Sequence, residues 1–257
     1  MNDETRLVGA RLDGDGPWLA LLAQPLALGF AWQITTISPI DSMLATLAQI
    51  QFHELGHALP AWLSSRAALP LPFGFTFWRE ERSVFTGISV AFLIGLLIYR
   101  GYVEGRRAAL VFGVATLAAW LAMTWIVSDE TSRLLILMGG FVGELCLPAL
   151  AVVAFHLRMP DRLRWDFFRF LVLPIAAFAY VGALRLWLGI AEGSAGLPMG
   201  SFLPGDGNGD FERLIRDHHL SQASIIRVGT KCARATVLGL GASYAWGVAA
   251  ALRQLRR

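Results

Sequence analysis

Apolar residues in this chain gather into seven long stretches, and charged positions are pushed into the intervals between them. The stretches cover about 18–37, 42–63, 84–99, 108–127, 134–156, 168–190 and 235–252, each close to the length a helix needs to cross a bilayer. The pattern therefore predicts helices, of which the third and last are the shortest. Asp41 or Ser42 can cap the second, and Pro25 and Pro174 fall inside the first and sixth. No internal repeat or long low-complexity segment is present.

Two stretches break the helical pattern. Residues 67–78 are apolar and aromatic, but Pro70, Pro72 and Gly74 forbid a regular helix. Backbone of this kind survives at membrane depth only where protein or a water-filled cavity covers it. A re-entrant or interfacial loop with strand character is expected there, or else an interfacial aromatic anchor. The second is a long loop over residues 191–234, rich in glycine and aspartate around residues 203–217.

Composition agrees with a membrane protein. Of the 257 residues 55% are hydrophobic and 16% charged, against about 25% charged in soluble domains. The formal charge of +3 arises from 22 basic and 19 acidic residues, and the basic ones sit in short patches between apolar runs. That distribution suits anchoring at a lipid surface better than nucleic-acid binding, for which the sequence shows no basic stripe or aromatic platform, so no nucleic-acid partner is expected. Cys146 and Cys232 form neither a disulfide framework nor a cysteine zinc site. The first residues mix Asp3, Glu4, Asp13 and Asp15 with Arg6 and Arg11, so no cleavable signal peptide is expected.

The chemistry is concentrated in the second stretch, which contains His53-Glu54-Leu55-Gly56-His57. On a helix, His53 and His57 lie one turn apart on one face and can bind one Zn²⁺ together. Glu54 follows the first ligand and is placed to act as general base on zinc-activated water. Two imidazoles and a carboxylate in an apolar helix would each otherwise need a buried partner, and a metal is the usual reason for keeping them.

A catalytic zinc takes three protein ligands, and two neutral histidines leave a carboxylate to be found. Glu144 is one candidate, an acid in the middle of the fifth apolar stretch. It and His53 each lie about 10 residues from the same membrane face, or about 15 Å deep. Gly139, Gly140 and Gly143 beside it would let another helix approach closely. Its alternative role is a hydrogen bond to the metal-bearing helix. Asp206 and Asp210, in the glycine-rich loop, are the other candidates. Asp210 can instead cap a short helix starting at Phe211. The spacing of Asp206, Asn208, Asp210 and Asp217 also approaches that of a calcium loop, without its sixth-position glycine. His218 and His219 follow the short helix and are expected to be solvated, and His156 has no assigned role.

Taken together, these residues resemble the site-2 protease clan of intramembrane zinc metalloproteases. The resemblance rests on the His53–His57 motif within a membrane helix, the proline- and aromatic-rich stretch after it, and the Gly-Gly-x-x-Gly-Glu segment ending at Glu144. In that clan a distant Asp, usually in an Asp-Gly motif, completes the zinc site. Asp206-Gly207 has that dipeptide, and Asp210-Phe211 is similar to an Asp-aromatic pair of bacterial relatives.

The fold expected is all-α: a polytopic membrane bundle of about six to seven transmembrane helices, with the re-entrant or interfacial loop after the motif helix. Residues 1–257 would form a single membrane-embedded domain, with 191–234 as an extramembrane or re-entrant loop carrying candidate ligands. Arg100, Arg106, Arg107, Arg158, Arg162, Arg164, Arg253, Arg256 and Arg257 fall on one side, which places the C-terminus in the cytoplasm. A bacterial inner membrane is the expected location, with lipid and a membrane-protein or peptide substrate as partners. The function implied is zinc-dependent hydrolysis of a peptide bond in or near a membrane segment. The alternative is a non-catalytic zinc-binding membrane protein, a sensor or assembly subunit. A metal transporter would need several intramembrane acids and histidines along a path, and only one cluster exists. Oligomeric state is not encoded in these patterns.

Overall fold

The structure is a computed structural model that describes residues 17–37, 40–155, 168–200 and 209–255. The described chain is mostly helical, and each of the seven apolar stretches coincides with a helix. The elements are α1 (Pro17–Ile34), α2 (Ile40–Leu63), β1 (Arg66–Leu71), β2 (Phe75–Arg82), α3 (Val84–Val103), α4 (Arg107–Leu121), α5 (Asp129–Ala154), α6 (Phe168–Glu192), α7 (Asp210–Arg216) and α8 (Gln222–Leu255). A π-helical turn, Ala122–Ile126, extends α4. Helices α1 and α6 run through Pro25 and Pro174.

Among the described residues, four helices are long and apolar enough to cross a membrane: Val84–Val103, Arg107–Ile126, Asp129–Ala154 and Phe170–Glu192. The motif helix α2 and the last helix α8 are not among them, and α1 contributes a shorter apolar helix over Leu21–Ile34. In α2 the polar side chains Gln49, Gln51, His53, Glu54 and His57 lower the hydropathy. In α8 the first turns carry Arg227, Lys231 and Arg234. That basic segment also explains why α8 begins 13 residues before the apolar stretch starting at 235. Its helix is initiated by polar chemistry, with the Ser221 hydroxyl accepting the Ser224 N–H at 3.2 Å.

Residues 66–82 form an antiparallel hairpin where a loop with strand character was expected. A three-residue turn closes it, and Gly74 takes the positive φ of 92° that side-chain-bearing residues avoid. Pro70 is tolerated because a two-stranded sheet consists only of edges. Beyond the Ala68–Trp78 pair the register shifts, so that Arg66 next faces Arg82. The Arg66 guanidinium fills this irregularity. It donates to the Glu80 carbonyl at 2.8 Å, to Ser132 at 2.7 Å and to the Asp129 carboxylate at 2.8 Å. Only 1% of this arginine is exposed.

The chain divides into two compact units. One comprises residues up to Phe52, Glu144–Pro198 and Ser221 onward, and packs α1, α6 and α8 together. Here Trp187 lies against Gly229 with no room for a Cβ, and Arg185 donates to Thr35 while lying 5.6 Å over the Trp32 ring. The other comprises His53–Gly143 and Met199–Leu220, and carries the hairpin, α3, α4 and α7. Within it α3 and α4 pair, and most of their large apolar side chains face outward, including Phe85, Phe92, Val111 and Phe112. Such faces fit lipid far better than water.

Candidate metal centre

The α-helical repeat places the His53 and His57 rings on one face of α2, with centroids 4.7 Å apart. Room for them comes from α5. A Cβ at Gly140 would lie 2.6 Å from His57 and 2.7 Å from His53, and a Cβ at Gly56 would strike the Gly139 carbonyl. Backbone therefore meets backbone where α2 crosses α5. The crossing also sets the tautomer of His57. Its Nδ1–H donates to the Ile136 carbonyl of α5 at 2.7 Å, so the Nε2 lone pair points the other way.

Asp210 meets those lone pairs. Its Oδ2 lies 2.9 Å from His53 Nε2 and 2.9 Å from His57 Nε2, and the two nitrogens are 3.0 Å apart. Three basic atoms thus converge on one point, an arrangement that repels itself unless a proton or a cation sits among them. A tetrahedral zinc with bonds of about 2.0–2.1 Å would hold its ligands about 3.3 Å apart, close to the spacing observed. Burial works against the charge on Asp210, but protons carried by the His57 and His53 imidazoles outweigh it and hold its carboxyl well below the usual carboxylate range. His53, His57 and Asp210 are the group that could hold a metal ion among the described residues.

Asp210 is the first residue of α7, one position past the Gly209 cap, and no side chain caps this helix. Its carboxylate is turned to the imidazoles instead. Phe211 packs on Phe141 of α5 with ring centroids 5.5 Å apart, which anchors α7 beside the site. Glu144 is half-buried on α5 and is not a member of the converging group. Asp206, with Asn208 and His156, lies outside the described residues. The remaining acid of the supposed calcium loop, Asp217, pairs with Arg216 at 2.7 Å.

Glu54 is buried at 5% exposure and is held by the hairpin. The Thr76 hydroxyl lies 2.6 Å from a Glu54 carboxylate oxygen and 2.9 Å from the Glu54 carbonyl, so its one proton is shared between them. Thr76 and Arg66 have no signature in the sequence. A lone Thr in an aromatic strand and an Arg after two serines gain meaning only when the hairpin folds back on α2 and α5. No family model, curated protein or solved structure matches this chain.

Proposed function

We propose that the protein is an integral-membrane zinc metalloprotease related to the site-2 protease clan, which hydrolyses a peptide bond in or near a membrane segment. The observation that carries this reading is the convergence of His53, His57 and Asp210 one residue from a buried Glu54 gripped by Thr76. Two imidazoles and one carboxylate form the three-ligand set of a hydrolytic zinc centre, which leaves a position for water. Zinc bound there would acidify that water and polarise a carbonyl.

The chain's own residues supply the rest. Glu54 accepts a proton and later delivers it to the leaving amine. Thr76 fixes the rotamer of Glu54 by donating to its carboxylate. Ile136 holds His57 in the metal-binding tautomer. The apolar, outward-facing surfaces of α3 and α4 support burial in lipid, and the flanking arginines support a cytoplasmic C-terminus in a bacterial inner membrane, within a bundle of six to seven spans. The hairpin offers free strand edges, to which an unwound substrate segment could add as a further strand.

The test uses detergent-purified protein reconstituted with single-span model substrates. Wild type should carry about one zinc per chain and cleave. Glu54→Gln should keep the zinc and lose cleavage, and Asp210→Asn should lose both. Cleavage by Glu54→Gln would overturn the assignment of the base. Bound zinc with no cleavage of any substrate would point instead to a sensor or assembly subunit.

A further inference from the structure

A cavity of about 560 Å³ is walled by residues of β2, α5 and α7, three elements that also carry residues around the His53–His57 pair of α2. On β2, Thr76 touches Glu54, and Trp78, two residues on and on the same strand face, lines the cavity. On α5, Gly140 faces the imidazoles, while Leu137, Arg133 and Glu130, on the same helical stripe, line the cavity. On α7, Asp210 is the third converging residue, and Arg213 and Asp217, three and seven positions on, line the cavity. The two sites thus share β2, α5 and α7. Arg133 lies seven residues from Gly140, or about 10 Å along the helix. That is the span of about three residues of extended chain.

The lining is charged and of mixed sign, with an indole on one wall. Most charges are already matched. Glu80 pairs with Arg133 at 3.4 Å, Asp217 with Arg213 at 3.9 Å, and Asp129 with Arg66 and Arg82 at 2.8 and 2.9 Å. Glu130 is exposed, lines the same space and has no ion-pair partner among the described residues. An entering segment therefore meets an unmatched carboxylate and an aromatic face, and both favour a cation.

We infer that this cavity is a substrate subsite that takes the polar, extended segment next to the scissile bond, with a Lys or Arg side chain of that segment set against Glu130 and Trp78. The inference rests on the protease reading for what becomes of the segment, but not for its binding. It also selects among substrates, preferring membrane segments that end in a basic residue about three positions from the bond cut.

The experiment measures binding by fluorescence anisotropy to detergent-purified protein. The probes are two labelled 12-residue Gly/Ser peptides, one with two central lysines and one with two central glutamates. The lysine peptide should bind more tightly than the glutamate peptide. Its affinity should fall about 5- to 10-fold in Glu130→Lys, and also in Trp78→Ala. It should be unchanged in Glu192→Lys, an exposed acid that does not line the cavity. Equal binding of both peptides, or indifference to Glu130→Lys, would overturn the subsite. A parallel assay follows cleavage of single-span substrates carrying Lys or Glu at that position. Binding that depends on Glu130 with no cleavage would keep the subsite and remove the protease reading. Cleavage whose kcat/KM ignores Glu130→Lys and the Lys/Glu exchange would do the reverse.

Discussion

Gly140→Ala should loosen the metal centre without touching a ligand. The added Cβ would sit 2.6 Å from His57 and 2.7 Å from His53, whereas carbon atoms rest at about 3.5–4.0 Å. Both rings, or the α2–α5 crossing itself, must give by about 1 Å. Metal ligands tolerate about 0.2 Å before bonds suffer, so the two imidazoles cannot retreat and still share an ion with Asp210. Overpacking of this kind costs about 1–3 kcal/mol, which corresponds to a roughly 5- to 150-fold weaker zinc complex. The assay is competition with a chromophoric chelator on detergent-purified protein. Gly95→Ala, where a Cβ meets nothing within 4 Å, serves as the control. Thermal unfolding of both variants without metal separates ligand displacement from general destabilisation. Zinc affinity within two-fold of wild type in Gly140→Ala would refute the argument that this glycine clears space for the imidazoles.

Thr76→Val keeps the shape of the side chain and removes its hydroxyl, so kcat should fall about 10-fold while zinc content holds; Thr76→Ser should restore most of it. Cleavage at the wild-type rate by Thr76→Val would show that Glu54 needs no such tether. Arg66→Met should destabilise the protein by about 2–3 kcal/mol, because Ser132 and the Glu80 carbonyl lose a buried, charged donor. The contribution of Asp129, which is 62% exposed, is discounted for solvent. Thermal unfolding in detergent reads this loss, and an unchanged midpoint would contradict it. Gly229→Ala drives a methyl into the Trp187 indole and should cost about 1–3 kcal/mol in the same measurement, with zinc binding intact.

The parts legible in the sequence were those written in local periodicity. His53 and His57 declared themselves by their i, i+4 spacing, and the apolar runs located the helices. Gly139 and Gly140 could be read as a close-approach surface, though not which of them faced the imidazoles. What stayed hidden depended on contacts far apart in the chain. Asp210 competed with Asp206 and Glu144 because no local pattern says which carboxylate returns to α2, 157 residues away from His53. Arg66 looked like an ordinary juxtamembrane arginine, yet the register shift in the hairpin makes it a buried plug. The start of α8 was missed for a different reason. Arg227, Lys231 and Arg234 interrupt the apolar pattern there, although such residues favour helix as strongly as many apolar ones.

The distance between His53 and Asp210 along the chain has a consequence for biosynthesis. Synthesis runs from the N-terminus at about 5–20 residues per second, so the two histidines and Glu54 emerge many seconds before the third converging residue. Until α7 has been made, the nascent chain holds the Glu54 carboxylate and two imidazoles without the third converging residue. Closing a loop of this length costs about 4–5 kcal/mol in chain entropy, against which a bound ion offers more than enough. The centre is thus assembled late, after the hairpin, α3, α4, α5 and α6 have been laid down and before α8. On the proposed protease reading, a young chain stays harmless to neighbouring membrane proteins until most of its own fold has been made.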